Sequence, residues 1–155
     1  MTGLLVGVNF CPAAIPLAMS WRMSMPRNVD LALLALRMML GLILLYHGLP
    51  KIADFAETLD AFSKIGVPAP AASLVFAIVA EVVGGALLLL GVWSDVGASL
   101  VILNMLGAIF AVHWKAGFDF TKGGYEHPLT VLVMALALLL AGPGRYAFGR
   151  GRARA

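Results

Sequence analysis

Four long apolar stretches dominate the pattern of hydrophobic and polar residues along this chain of 155 residues. Each has at most one charged residue in its interior, and they run from Asp30 to Leu49, Ala69 to Leu90, Val96 to Val112 and Pro128 to Ala141. A helix needs about 20 residues to cross a hydrocarbon core of about 30 Å, so the first three are long enough and the fourth is short. The pattern predicts an all-α integral membrane protein built as an antiparallel four-transmembrane-helix bundle.

A fifth periodic segment separates the first two stretches. Its apolar residues recur at helical spacing opposite a polar face, which predicts a short amphipathic surface helix near Asp54 to Ile65. Gly66 and Pro68 end this segment, and Pro70 suits the first turn of the second span.

The remaining segments complete the predicted organisation. Residues 1–28 carry no basic residue before their apolar part, so we interpret them as poorly ordered or as translated from a start site upstream of the true one. Residues 29–145 form the membrane domain, and residues 146–155 form a basic tail. The loop from Lys115 to Glu126 is rich in glycine, which predicts a mobile mouth.

Composition supports a membrane protein and excludes several other classes. The chain is 61% hydrophobic and 12% charged, whereas soluble domains average about 45–50% and about 25%. Its net charge of +3 is too small and too dispersed for a nucleic-acid-binding protein. A single cysteine, Cys11, excludes an intramolecular disulfide, so any redox electrons must travel on another group.

The basic residues predict an orientation. Six arginines fall on the side of the two termini and four lysines on the opposite side: Arg22, Arg27, Arg145, Arg150, Arg152 and Arg154 against Lys51, Lys64, Lys115 and Lys122. Because cytoplasmic loops carry an excess of Lys and Arg, both termini are predicted to be cytoplasmic.

Three polar residues lie inside the predicted spans at similar depths: Arg37, Glu81 and Asn104. An ionised side chain at that depth needs a partner, so we expect Arg37 to pair with Glu81 and Asn104 to complete the hydrogen bonding. Gly41 and Gly48 share a face with Arg37, and Gly85 shares one with Glu81, so these helices can approach closely. The pair is interpreted either as a structural clamp or as part of a proton, quinone or ion pathway.

A second polar cluster is predicted at the outer mouth, from His47, Lys51, Lys115 and Glu126. At about 100° per residue, Lys115 lies about 20° from the Asn104 face and His113 about 180° from it, so Lys115 should point inward and His113 should anchor at the interface. Such a pocket would have cationic character and attract an anion or a quinone carbonyl. The same angle argues against haem on His47 and His113, and no spacing is diagnostic of a metal site.

The order and spacing of several short motifs resemble the DoxX family over about residues 32–145. They are Arg37-Met-Met-Leu-Gly41, His47-Gly-Leu-Pro-Lys51, Gly66-Val-Pro68, Glu81-Val-Val-Gly84-Gly85 with Leu90-Gly91, His113 before Gly117-Phe118, Gly124-Tyr125-Glu126, and Gly142-Pro-Gly-Arg145. The resemblance implies a four-helix bacterial inner-membrane protein related to small subunits of thiosulfate:quinone oxidoreductases. Where family members often end in Ser-Leu-Asp, this chain has Tyr146-Ala147-Phe148-Gly149.

Three functions remain open from the sequence. The first is a membrane subunit, or quinone-site partner, of an oxidoreductase complex in sulfur or thiol chemistry, with a soluble oxidoreductase or a sulfurtransferase as its partner. The second is a small proton-coupled transporter that uses Glu81. The third is a non-catalytic membrane scaffold. The cofactor is unassigned, with a quinone as the candidate.

Overall fold

The computed structural model describes residues 28–148, and within that range every regular element is helical. The helices are α1 (Val29–Ala53), α2 (Phe55–Ile65), α3 (Pro70–Leu90), α4 (Ser94–Ala116) and α5 (Glu126–Ala141). Helices α1, α3 and α4 are long and apolar enough to cross a membrane, whereas α5 has 16 residues. The protein is therefore a multi-pass membrane protein. Residues 1–27 of the predicted N-terminal segment 1–28 and residues 149–155 of the tail lie outside the described residues.

Local signals in the sequence explain where the helices begin and end. Asn28 caps α1, because its Oδ1 accepts a hydrogen bond from the Leu31 N–H at 3.1 Å. Helix α2 ends at Gly66 in the left-handed conformation, and Pro70 opens α3. The predicted helix between the first two spans is confirmed, and α2 contains no buried residue.

Glycines set the contact between α1 and α3. A Cβ added at Gly41 would lie 2.9 Å from the Gly85 carbonyl oxygen, and one added at Gly48 would lie 2.8 Å from Val82 Cγ2. Both distances are shorter than real Cβ contacts, so only glycine permits this approach. The prediction that small residues let these helices pack closely is confirmed.

The apolar core lies where α1, α3, α4 and α5 meet. Its fully buried members are Leu40, Leu44, Leu88, Ala98, Val101, Val131, Ala135 and Leu138. They recur at helical spacing on the inward face of each helix, which is the pattern that a packed bundle requires. This core holds the four helices together beside the site described below.

Two π-turns interrupt the long helices. One covers Val79–Val83 in α3, and the other covers Ile109–His113 in α4. Helices α3 and α4 are in close contact near Gly84 and Gly97, where a Cβ on Gly97 would lie 3.0 Å from the Gly84 oxygen. Beyond that contact the two helices line a cleft. π-Turns rotate the residues that follow them relative to a regular α-helix, and they recur at functional sites.

Candidate functional site

A cleft of about 590 Å³ lies between α3 and α4. Most of its lining is apolar, and Phe62 of α2 and Val67 of the following loop also contribute to it. The polar side chains in its wall are Lys51, Ser73, Glu81, Asn104 and His113. A concave, mainly apolar cavity with a few convergent polar groups is the usual form of a small-molecule site.

Lys51, Glu81 and Asn104 form the polar floor of this cleft. Lys51 Nζ donates to Glu81 Oε2, and Asn104 Nδ2 donates to Glu81 Oε1 at 3.3 Å. Lys51 Nζ also donates to the His47 carbonyl oxygen at 3.1 Å. Both oxygens of the carboxylate therefore have donors, as a buried carboxylate requires.

The floor carries no net charge but keeps donors to spare. Lys51 and Glu81 neutralise each other, and the Lys51 ammonium uses two of its three N–H groups in the hydrogen bonds above. The Asn104 amide uses one of its two N–H groups. Because the charges cancel, the floor suits an uncharged ligand that accepts hydrogen bonds, such as a carbonyl compound.

Helix packing explains why Glu81 meets Lys51. Gly48 lies directly against Glu81, since a Cβ added there would lie 2.9 Å from Glu81 Cβ. Lys51 follows Gly48 by nearly one turn of α1, on the same face. Glu81 itself lies inside the first π-turn of α3.

The predicted pair of Arg37 with Glu81 is wrong. The side chain of Arg37 lies beside Gly91, roughly three helical turns from the level of Gly48 and Glu81, which is about 16 Å along α1. Counting residues from the ends of the spans failed because α1 begins well beyond the end of α3. The glycine contacts fix the register of the two helices, and they bring Lys51 to the carboxylate instead.

Arg37 instead binds carbonyl oxygens at the other end of the bundle. Its guanidinium donates to the Leu88 oxygen at 3.4 Å and to the Tyr146 oxygen at 3.1 Å, and the residue is 1% exposed. Among the described residues it has no carboxylate partner, and its Nε has no hydrogen bond. A cation at the carboxyl end of α3 is favoured by the helix dipole.

The segment after α5 is attached at this same end. The Arg145 N–H donates to Asp30 Oδ1 at 2.9 Å, and the Phe148 N–H donates to the Leu90 oxygen at 3.1 Å. With the bond from Arg37 to Tyr146, these contacts fix the segment against α1 and α3. The structured part of the chain thus continues past residue 145, where the sequence placed the start of the tail.

The four residues predicted at the outer mouth do not converge. Lys51 alone of the four lines the cleft. The His47 ring lies beside that of His127, with centroids 5.2 Å apart, and Glu126 Oε2 accepts from the Phe120 N–H at 3.3 Å. Lys115 is exposed.

The orientations predicted for His113 and Lys115 are wrong: His113 faces the cleft, whereas Lys115 is exposed. His113 lines the cleft, and its Nδ1 lies 2.6 Å from the Gly123 oxygen. Since a carbonyl can only accept, Nδ1 carries the proton of that hydrogen bond. The extrapolation at a constant angle per residue was wrong because the second π-turn lies between Asn104 and these residues.

The glycine-rich loop after α4 contains several internal hydrogen bonds. It contains a short 3₁₀ turn at Phe120–Lys122, and the Tyr125 N–H donates to the Gly117 oxygen at 3.0 Å. The Thr121 hydroxyl and N–H both donate to Asp119 Oδ1, and these bonds lower the pKa of Asp119 below its ordinary value. The loop therefore contains hydrogen-bonded turns.

Several cleft residues had a signal in the sequence that the prediction did not use. Asn104, Gly107, Ala108 and Ala111 recur at three- and four-residue spacing, so they form one polar and small face of α4. A Cβ added at Gly107 would meet nothing within 4 Å. A face of small residues with no neighbour against it marks the wall of a cavity.

The chain matches a known protein family. The sequence profile named DoxX matches residues 32–114, which is more than half of the chain and includes the whole polar floor. The chain belongs to the DoxX family. The resemblance seen in the short motifs is thereby confirmed.

Two relatives show how far this DoxX similarity extends. A Bacillus subtilis (strain 168) protein named "Putative oxidoreductase CatD" is 32% identical over 118 residues, which cover 76% of this chain and 84% of the relative. "Uncharacterized membrane protein Rv3486" of Mycobacterium tuberculosis (strain H37Rv) is 30% identical over 145 residues, covering 86% and 88%. No solved structure matches the chain significantly.

Proposed function

We propose that this DoxX-family protein is a membrane subunit of an oxidoreductase complex in sulfur or thiol chemistry, and that its cleft is a quinone site. The observation that carries the proposal is the neutral Lys51–Glu81–Asn104 floor beneath an apolar cleft between two membrane-spanning helices. The oxidoreductase name of the Bacillus subtilis relative supports the same class of function.

A quinone fits the chemistry of the residues present. Its carbonyl oxygens are uncharged acceptors, and the spare N–H groups of Lys51 and Asn104 are donors in the same wall. Its ring and chain are apolar, as is most of the lining. A bound quinone supplies the electron acceptor that this chain's own side chains do not provide. Lys51 and Asn104 would orient the carbonyl, and Glu81 would hold both donors in place.

The floor favours this reading over a proton-coupled transporter. Both oxygens of Glu81 already accept hydrogen bonds, one from Lys51 and one from Asn104, and these bonds serve to hold the two donors toward the cleft. The pair is also open to a cleft, which distinguishes it from a purely structural clamp within a scaffold.

We further propose that α5 is the fourth span and that both termini lie in the cytoplasm of a bacterial cell, with the protein in the inner membrane. The arginine excess beside the termini supports this orientation. A reporter that works only in the cytoplasm should be active when it is fused after Gly149. If a reporter that works only outside the cytoplasm were active at this position instead, the orientation would be the reverse.

The quinone site is tested by binding. The full chain in lipid nanodiscs is incubated with decylubiquinone, and the bound quinone is extracted and measured by absorbance. Asn104→Leu should weaken binding by about tenfold, which corresponds to the loss of one hydrogen bond of about 1.4 kcal/mol.

The matched control is Ser99→Leu, which makes a polar residue of the same helix apolar outside the cleft. The Ser99 hydroxyl bonds only its own helix, donating to the Asp95 oxygen at 2.7 Å. This variant should bind quinone like the wild type. Equal loss in both variants, or no binding by the wild type, would refute the quinone site.

The complex is tested by purification of the tagged full chain from its native cells grown under sulfur or oxidative stress. A soluble oxidoreductase or a sulfurtransferase should co-purify in a constant ratio. Recovery of the chain alone would contradict the role as a subunit while leaving the quinone site to its own test.

A further inference from the structure

The rim of the cleft differs in character from its floor. Glu81 and Asn104 are 6% and 8% exposed, whereas Phe76 of α3 and Leu103 of α4 are 39% and 58% exposed. All four line the same cavity. The cleft thus runs from a buried polar floor to apolar side chains on the outer surface of two helices.

That outer surface faces lipid. Helices α3 and α4 both have the length and hydropathy of membrane spans, and the exposed apolar side of a span contacts the hydrocarbon of the bilayer. Phe76 and Leu103 lie well inside their helices rather than at the ends. The opening between them therefore faces the hydrocarbon of the bilayer.

Small residues keep this opening clear. A Cβ added at Gly107 would meet nothing within 4 Å, although α3 and α4 are in tight contact at Gly84 and Gly97. Ala111, one turn beyond Gly107, also lines the cleft and is exposed. The two helices touch at one end and leave a gap at the other.

We propose that this gap is a lateral portal, through which a lipid-soluble carbonyl compound reaches the floor from the bilayer while its hydrocarbon chain stays between Phe76, Leu103 and Gly107. The inference rests on the proposed quinone site. It adds the route by which the quinone enters and the residues that contact its hydrocarbon tail.

The charge of the floor selects the kind of lipid. An anionic headgroup, such as a phosphate, would place a negative charge beside Glu81, and Lys51 already neutralises that carboxylate. Burying such an uncompensated charge is unfavourable. A neutral head with acceptor oxygens meets donors and needs no counter-charge.

The test compares two quinones that have the same ring, of which only one has a hydrocarbon tail. The full-length protein in nanodiscs is titrated with decylubiquinone and with its tailless parent, 2,3-dimethoxy-5-methyl-1,4-benzoquinone. Affinities are expressed as mole fraction in the lipid, which removes the difference in partitioning. Gly107→Phe should weaken decylubiquinone by at least about tenfold and the tailless compound by less than about twofold.

Leu106→Phe is the matched control, since it introduces the same side chain at the adjacent, lipid-exposed position outside the cleft. It should change neither affinity. A wild type that binds decylubiquinone but not the tailless compound would support contact between the hydrocarbon chain of the quinone and the cleft.

Equal weakening of both quinones by Gly107→Phe would overturn the portal and leave the quinone site standing. Unchanged binding of both quinones would also overturn the portal, because the hydrocarbon tail of the quinone would then lie elsewhere. If the wild type bound neither compound, the quinone site itself would fail and the portal with it.

Discussion

Two buried charged centres lie roughly three helical turns apart along α1, and they differ in almost every respect. Arg37 is enclosed, bonds only carbonyl oxygens among the described residues and does not line the cleft. Lys51 and Glu81 neutralise each other and line an open cleft. A buried charge is therefore not by itself a sign of a binding site. The first centre holds a chain segment in place, and the second presents donors to a cavity.

The enclosed centre should be the more sensitive to added volume. Gly91 has a φ of 73°, and a Cβ there would overlap the Arg37 guanidinium and lie 2.9 Å from Ala147 Cα. Gly91→Ala should lower the free energy of unfolding in detergent by about 3–5 kcal/mol, through backbone strain and steric overlap together.

Gly66→Ala separates those two causes. Gly66 has a similar φ of 82°, but a Cβ there would meet nothing within 4 Å. Strain alone should cost about 1–2 kcal/mol at this position. Equal effects of the two substitutions would show that Arg37 and Ala147 are not packed against Gly91.

Loss of the guanidinium should come next in size. Arg37→Leu leaves the Tyr146 oxygen without its donor and leaves the Leu88 oxygen with the Gly91 N–H alone, so we expect a loss of about 2–4 kcal/mol in the free energy of unfolding. The bound fraction of decylubiquinone, measured on folded protein, should not change. Arg145→Leu, which alters an exposed arginine nearby, should be close to neutral. A large effect of Arg37→Leu on quinone affinity would contradict the division between the two centres.

The cleft centre should show coupling between its two charges. Lys51→Leu leaves Glu81 without a counter-charge, while the double change of Lys51 and Glu81 to leucine removes both, so the two effects should not add. A double-mutant cycle on unfolding in detergent should give a coupling energy of about 1–3 kcal/mol.

The exposed pair of Lys64 and Asp60 provides the control cycle. Its side chains are 75% and 60% exposed, and an i,i+4 pair of this kind couples by about 0.3–0.5 kcal/mol. Similar coupling in the two cycles would mean that the Lys51–Glu81 pair is solvated and that the floor is not an enclosed site.

The smallest expected effect concerns the loop at the far end of the cleft. His113→Phe removes the bond to the Gly123 oxygen and should cost about 1 kcal/mol, with faster amide exchange in the loop. Lys115→Gln should leave both unchanged, because Lys115 is exposed. The opposite ranking would restore the orientation predicted from a regular helix.

Much of this fold could be predicted from the order of residues. Apolar length predicted the three helices that are long enough to cross a membrane, alternation of apolar and polar faces predicted α2, and Pro70 opens α3 where expected. Glycines at three positions predicted the close approach of α1 and α3. These properties are local, since each depends on residues within one helix or on the face that a helix presents.

The partner of each buried charge depended on the tertiary structure. The sequence identified Arg37, Glu81 and Lys51 as residues that need an explanation, but their pairing depends on how far one helix slides past the next. The contacts of Gly48 with Val82 and Glu81 set that distance. Sliding α1 along α3 by three helical turns would leave both helices intact but would change which residues of the two helices are in contact.

The orientation of His113 was decided in the same way. The sequence determined that α4 is a long apolar helix, but the π-turn at Ile109–His113 changes the direction of the side chains beyond Asn104. A π-turn requires no particular residue types, so it leaves no motif in the sequence. It forms where packing and loop contacts favour a different rotation per residue along the helix. The sequence thus determined the helices and their faces, whereas packing decided register and rotation, and with them the composition of the cleft.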